Sequence, residues 1–158
     1  VEGIARLGPD PLAEEFTRDV LRRILSDAGR SQIKGVLRHQ GTIAGIGNAY
    51  SDELLHAARL SPFKPANSLN EDEFELLYTS IRSVIGEAVE RSRGLAASEL
   101  KGEKKSNMAV HGRKGEKCPV CGDIVREVSF ADSALQYCAT CQTGGKPLAD
   151  RRLSRLLK

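Results

Sequence analysis

The chain has 158 residues, 40% of them hydrophobic and 28% charged, with no tryptophan. That composition is ordinary for one or two small globular domains, and it excludes a membrane span, since no apolar run approaches ~18 residues. Net charge is only +3, yet residues 1–100 carry 12 Lys+Arg against 15 Asp+Glu while residues 101–158 carry 12 against 6. A basic end on a mildly acidic body fits a polyanion partner or a merely solvated surface.

From Asp10 the sequence predicts a helix reaching Gly29, with Asp10 as N-cap, Pro11 in the first turn, and Leu12, Phe16, Val20, Leu21, Ile24 and Leu25 at helical spacing. "SQIKGVLRHQ" predicts a short helix capped by Ser31, with Ile33, Val36 and Leu37 on one side and Gly41 as its stop. A glycine-rich turn, "GTIAGIG", then runs into a helix from about Asn48 to Arg59 that Pro62 ends. The longest helix is expected in "SLNEDEFELLYTSIRSVIGEAVERSRG", with acidic residues in its first turn and Phe74, Leu77, Tyr78, Ile81, Val84, Ile85 and Val89 facing inward. The first hundred residues therefore read as an all-α bundle. Residues 94–117 lose this periodicity and become rich in Gly and Lys, as in a connection or flexible loop. "IVREVSF" and "ALQYC" alternate as two antiparallel strands joined around "ADSA". The tail "GGKPLADRRLSRLLK" is basic and amphipathic, with Leu148, Leu153, Leu156 and Leu157 against Arg151, Arg152, Arg155 and Lys158. The fold class expected is mainly α: a helical domain over residues 1–110, then a β-hairpin module with a basic tail over residues 111–158.

All four cysteines fall in "CPVCGDIVREVSFADSALQYCATC", as C-x2-C, sixteen residues, C-x2-C. Two thiolates separated by two residues can face a common centre from one tight turn, and a hairpin brings back the second pair to complete a tetrahedron. A thioredoxin-like redox site needs only one such pair, and paired disulfides suit a secreted chain. No charged and apolar leader opens this sequence, so it reads as intracellular, in the cytoplasm or at the nucleoid. Cys118, Cys121, Cys138 and Cys141 are thus expected to hold one structural zinc ion, with no open position for water.

In "AGIGNAYSDE", Gly45 and Gly47 let the backbone turn sharply and come close to another molecule, and Asn48 stands where the next helix begins. Such a helix start is an anion cradle, or else a plain capped helix. Lys34, in the preceding short helix, could bring a cation to the same place or lie on a solvated face.

These residues also carry a resemblance. "IKGVLRHQGTIAGIGNAYSDELLHAARLSPFKPA", "AVHGRKGEKCPVCG" and "YCATCQ" resemble the C-terminal half of the formamidopyrimidine-DNA glycosylase and endonuclease VIII family of base-excision repair enzymes, over nearly the whole chain from Leu7 to Gln142. The resemblance implies a helix-two-turns-helix domain and a zinc finger forming one wall of a DNA cleft. It implies that Lys34 and Asn48, beside Gly45 and Gly47, hold phosphates flanking a damaged nucleotide, and that the finger loop reaches the opposite backbone. The partner expected is double-stranded DNA with a damaged base or abasic site, bound by a monomer. The family's finger loop usually carries an arginine where this sequence has Ser133, so Lys101, Lys104, Lys105, Arg113 or the tail would have to supply that contact. Residues 94–107 do not match the longer loop that some members use over an oxidised purine.

Family catalysis as a bifunctional glycosylase and AP lyase uses the amine of an N-terminal proline and an adjacent glutamate. Here "VEGIARLGPDP" places no proline before Glu2, and Pro9 and Pro11 are internal amides. The expectation is a DNA-binding portion that lacks the N-terminal catalytic domain and is inactive alone. The alternatives are a noncatalytic nucleic-acid-binding zinc module, or a finger that only stabilises a helical interaction domain.

Overall fold

The computed structural model describes residues 8–41, 43–93, 95, 107–130 and 133–148. Among them the chain forms α1 (Arg18–Ala28), α2 (Ile33–Arg38), α3 (Asn48–Ala57), a 3-10 turn (Ala66–Ser68), α4 (Glu71–Ser92), the strands β1 (Val125–Ser129) and β2 (Ala134–Cys138), and a single turn α5 (Ala139–Gln142).

Helix α1 begins later than the sequence predicts. Asp10 and Pro11 are turn formers as much as helix starters, and Asp10 Oδ1 accepts from Leu12 N at 2.9 Å in a local turn. Residues 11–15 stay in turns, Phe16 drops into the core fully buried, and Thr17 caps the helix by accepting from Val20 N at 3.3 Å. The second helix is likewise entered from Gln32 and not from Ser31. Helix α4 has the stronger signal: Asn70 and Glu73 form a reciprocal capping box, and three acidic residues complement the helix dipole. Val89, expected inside, is 43% exposed. Glu87 and Arg91, in the last turns of α4, line a cavity with Tyr50, Glu53 and His56 of α3, and Val89, midway between them in sequence, falls on another side of the helix.

Phe16, Leu21, Leu25, Ile33, Leu37, Ile43, Ile46, Leu54, Leu55, Leu77 and Ile81 form one core between these helices. The seam between α1 and α4 is closed at the surface by Arg18 on Glu75 and Arg22 on Glu71, with each guanidinium also over an aromatic ring, Tyr78 and Phe74 respectively.

In the finger, β1 and β2 pair antiparallel with Val125 opposite Cys138 and Val128 opposite Leu135. Strand β2 does not alternate: Leu135, Gln136, Tyr137 and Cys138 are all buried. Both of its faces are covered. Val110, Val125, Cys118, Cys138 and Cys141 pack on one side, while Val128, Leu135 and Tyr137 gather with Phe63 and Leu148. Leu148 N also donates to the Tyr137 hydroxyl at 2.8 Å. The rest of the basic tail, and Lys101, Lys104 and Lys105, lie outside the described residues.

Candidate nucleic-acid interface and metal centre

The turn between α2 and α3 is braced on all sides. Ile43 and Ile46 anchor it in the core, and backbone bonds tie it to the start of the described chain, from Gly8 N to Gln40 O (2.8 Å) and from Ala44 N to Pro9 O (3.0 Å). The Gln40 carboxamide closes it, accepting from Gly45 N at 2.9 Å and donating to Ile46 O at 2.7 Å. Gly45 has φ 84°, a left-handed conformation that favours glycine. Gly47 is different: its φ of −96° suits any residue, and an added Cβ would meet no atom within 4 Å. The fold itself does not demand this glycine. As the N-cap of α3 it supplies no side-chain acceptor, whereas Thr17 and Asn70 cap α1 and α4. The first amides of α3 are therefore left without a side-chain cap, which is the arrangement that receives an anion at a helix start.

Asn48, the first residue of α3, turns its side chain toward the finger. Its Nδ2 donates to Ala134 O at 3.2 Å, while Oδ1 is buried with no hydrogen-bond partner among the described residues. Ser133, adjacent to Ala134, is thereby brought to the same edge, where its carbonyl accepts from Phe130 N at 2.7 Å. Lys34 reaches this place from inside. Its Nζ lies 3.2 Å from Asn48 O, 2.8 Å from Ser51 Oγ and 2.5 Å from Asp52 Oδ1, which occupies its three N–H donors. Lys34 is only 6% exposed; burial lowers the pKa of its ammonium below the usual lysine value, and Asp52 opposes that shift. Arg113 is engaged as well, on Met108 O at 2.6 Å and on Glu116 at 3.0 Å.

Sequence reasoning missed the residues that join the two parts. Asp52, 1% exposed, gives Oδ1 to Lys34 and Oδ2 to His111 Nδ1 (2.8 Å) and Gln136 N (3.2 Å). Glu53 accepts three consecutive amides, Ala109 N at 2.5 Å and Val110 N and His111 N at 3.0 Å each. His56 Nε2 lies 3.2 Å from Cys118 Sγ. The segment 107–111 thus belongs to both parts, since Glu53 holds its backbone while Val110 sits among the finger cysteines. The signal was the spacing of Asn48, Asp52 and His56 at i, i+4 and i+8, a polar stripe that looks solvent-facing until the finger covers it.

The four cysteine sulfurs lie within 4.8 Å of one another, with Cys118 to Cys141 at 3.8 Å and Cys121 to Cys138 at 3.4 Å. A tetrahedron of 2.3 Å zinc–sulfur bonds separates its sulfurs by about 3.8 Å, so the residues fit the ion. Backbone amides support the sulfurs, Val120 N on Cys118 at 3.4 Å and Asp123 N on Cys121 at 3.5 Å. The Asp123 amide pulls the Cys121 thiol pKa down, while burial pushes that of Cys141 up. Four thiolates leave no open coordination position, so zinc here is structural.

A two-turn helical motif opening on bare glycines, joined to a four-cysteine hairpin, defines a helix-two-turns-helix zinc-finger protein. Residues 7–99 match the formamidopyrimidine-DNA glycosylase H2TH domain and residues 115–144 the zinc finger found in FPG and IleRS. The chain belongs to the formamidopyrimidine-DNA glycosylase family. It is 56% identical over 152 residues to an uncharacterized formamidopyrimidine-DNA glycosylase-like protein of Mycobacterium tuberculosis, covering 96% of this chain and 94% of the relative. It is 40% identical over 149 residues to the formamidopyrimidine-DNA glycosylase of Thermus thermophilus, covering 90% of this chain but 55% of that enzyme. Among solved structures, the MutM (Fpg) protein of Thermus thermophilus superimposes with a TM-score of 0.79 at 39% identity, covering 93% of this chain and 57% of that one. The Lactococcus lactis Fpg in complex with abasic-site DNA gives 0.77 at 31%, covering 90% and 54%. The chain spans about half the length of these named glycosylases and nearly all of the mycobacterial relative.

Proposed function

We propose that this chain binds double-stranded DNA at a damaged base or abasic site, as a monomer inside the cell, and forms the DNA-holding wall of a base-excision repair protein. The observation that carries this reading is the side-chain-free opening of α3: Gly47 leaves open a space that the fold does not need. In the reading, a phosphate sits on the first amides of α3 beside Asn48, with Lys34 adding positive potential from behind and Ser133 on the adjoining finger edge. Phosphate contacts on either side of an extruded nucleotide hold its backbone while the base is out of the stack.

Glycosidic cleavage and AP lyase chemistry need an amine nucleophile with a carboxylate beside it to move protons. Among the described residues no such pair stands at the turn, where the Lys34 ammonium is buried against Asp52. We therefore assign that chemistry to the half of the named glycosylases that has no counterpart in this chain, and expect this chain alone to excise nothing. A second reading, a noncatalytic DNA-binding module, is favoured by the mycobacterial relative, 94% of which is covered by these same two parts.

The test is fluorescence anisotropy with a duplex carrying a stable abasic-site analogue against an intact duplex, over a salt series. Binding should be salt-dependent, tighter to the abasic duplex, and weaker for Asn48→Ala on both. No binding at low salt overturns the proposal. Borohydride trapping tests where the chemistry lies: this chain should not cross-link to abasic DNA, and rapid cross-linking would overturn the assignment of catalysis to the half that has no counterpart here.

A further inference from the structure

We propose that His56 is a positioning residue of the zinc centre: it donates Nε2–H to the Cys118 thiolate and so fastens to the metal the helix that opens at the glycine turn. The ring nitrogen and the sulfur are 3.2 Å apart, and they come from positions 62 residues apart in the chain. Both residues are buried, His56 at 6% exposure and Cys118 at 3%. A zinc-bound thiolate carries no proton and can only accept, so the hydrogen between them belongs to His56 Nε2.

Four thiolates on one dication carry a net charge of about −2. Here the sulfurs of Cys118, Cys138 and Cys141 are buried beside Val110 and Val125, where donors to sulfur are what offset that charge. Cys118 receives such donors from its own knuckle, the amides of Val120 and Cys121. The side-chain donor comes from a helix outside the hairpin. A leucine or phenylalanine in place of His56 would fill the same volume and leave the thiolate less satisfied, so packing alone does not account for an imidazole here. His56 also lies one and two helical turns beyond Asp52 and Asn48, which hold Gln136 N and Ala134 O of β2. Along one stripe of α3 the finger is therefore held at its strand, at its leading loop and at its metal.

The experiment compares His56→Gln with His56→Met in the full chain. The two side chains are similar in size, and only glutamine carries an N–H. Two quantities are read: the rate of zinc transfer to a chromogenic chelator, and the energy of the sulfur-to-cobalt charge-transfer band after cobalt substitution, which reports electron density on sulfur. The methionine variant should lose zinc roughly tenfold faster than the parent, the low end of the range for outer-shell partners of metal ligands. Its charge-transfer band should move to lower energy, and the glutamine variant should stay near the parent in both. Metal retention by the glutamine variant alone would support the proposal equally. Equal behaviour of the two variants, whether both match the parent, both shift or both fail to hold metal, overturns it and leaves the ring as a space-filling group.

Discussion

Lys34 and Asp52 meet at 2.5 Å with side chains only 8% and 1% exposed, and this pair ties the glycine turn to the finger. The lysine side also holds Asn48 O, and the aspartate side also holds His111 and Gln136 N. Breaking a buried pair by removing one partner costs about 3–5 kcal/mol, because the remaining charge stays buried. Lys34→Met and Asp52→Asn should each lower stability by that order in urea unfolding of the zinc-loaded chain. A change near zero would mean that solvent reaches the pair.

Glu53 should matter through the amides that it holds. Hydrogen bonds to a charged acceptor contribute about 1.5–3 kcal/mol each, and glutamine would keep one acceptor oxygen while turning an NH2 toward the donors. Glu53→Gln is expected to cost a few kcal/mol by the same principle and to raise hydrogen exchange selectively at Ala109, Val110 and His111. Unchanged protection at those amides would contradict the assignment.

The two glycines of the turn should separate folding from binding. Gly45→Ala places a Cβ at φ 84°, a strain of about 1 kcal/mol or more. Gly47→Ala meets no atom and costs the fold under about 1 kcal/mol as an N-cap change, yet it crowds the proposed phosphate. Its stability should be near that of the parent while DNA affinity falls. Parental affinity in Gly47→Ala would show that the open space is incidental.

Zinc removal should unfold the finger and spare the helices. The hairpin is too small to bury enough apolar surface unaided, so metal binding supplies its folding free energy. Phe16, Leu21, Leu54, Leu77 and Ile81 form a core that contains no finger residue. Chelation should therefore abolish amide protection in β1 and β2 and leave α1 and α4 protected. Global loss of helicity would show that the helical core depends on the finger.

Acid should loosen the α1–α4 seam first at its surface. Hydrogen bonds from Arg22 and Arg18 hold the Glu71 and Glu75 carboxyls below the usual glutamate value of 4.5. Because the folded pKa is depressed, the contribution is present above about pH 4.5, the unfolded value, and fades as pH falls through the folded values. Carboxyl NMR titrations should give midpoints under 4.5 for both residues, and Glu71→Gln with Glu75→Gln should flatten the acid end of the melting curve. Both groups are exposed, so the effect should be small and salt-sensitive.

The helices were legible in the sequence wherever local chemistry was unambiguous. The apolar spacing of Phe74, Leu77, Tyr78, Ile81 and Ile85 after an acidic first turn marked α4, and C-x2-C repeated across a hairpin length marked the metal site. Asp10 with Pro11 was ambiguous because the same residues start helices and turns, and the chain took the turn so that Phe16 could stack on Tyr78, with ring centroids 6.1 Å apart. Val89 misled because apolar spacing alone does not say which side of the last turns the rest of the chain covers.

By itself the sequence determined the local elements, the four ligands of the zinc site and the turn that leads into α3, since each depends on residues close together in the chain. Only the tertiary structure decided what the polar residues of that helix do. Asp52, Glu53 and His56, like Lys34 on α2, carry the residue types of a solvated surface, and nothing nearby in sequence marks them as buried. Their partners, His111, Gln136, the amides of residues 109–111 and Cys118, lie 56 to 84 residues further along from Asp52, Glu53 and His56. A charge is tolerated in the interior only where such partners meet it, and that meeting arises when the finger folds back onto α3.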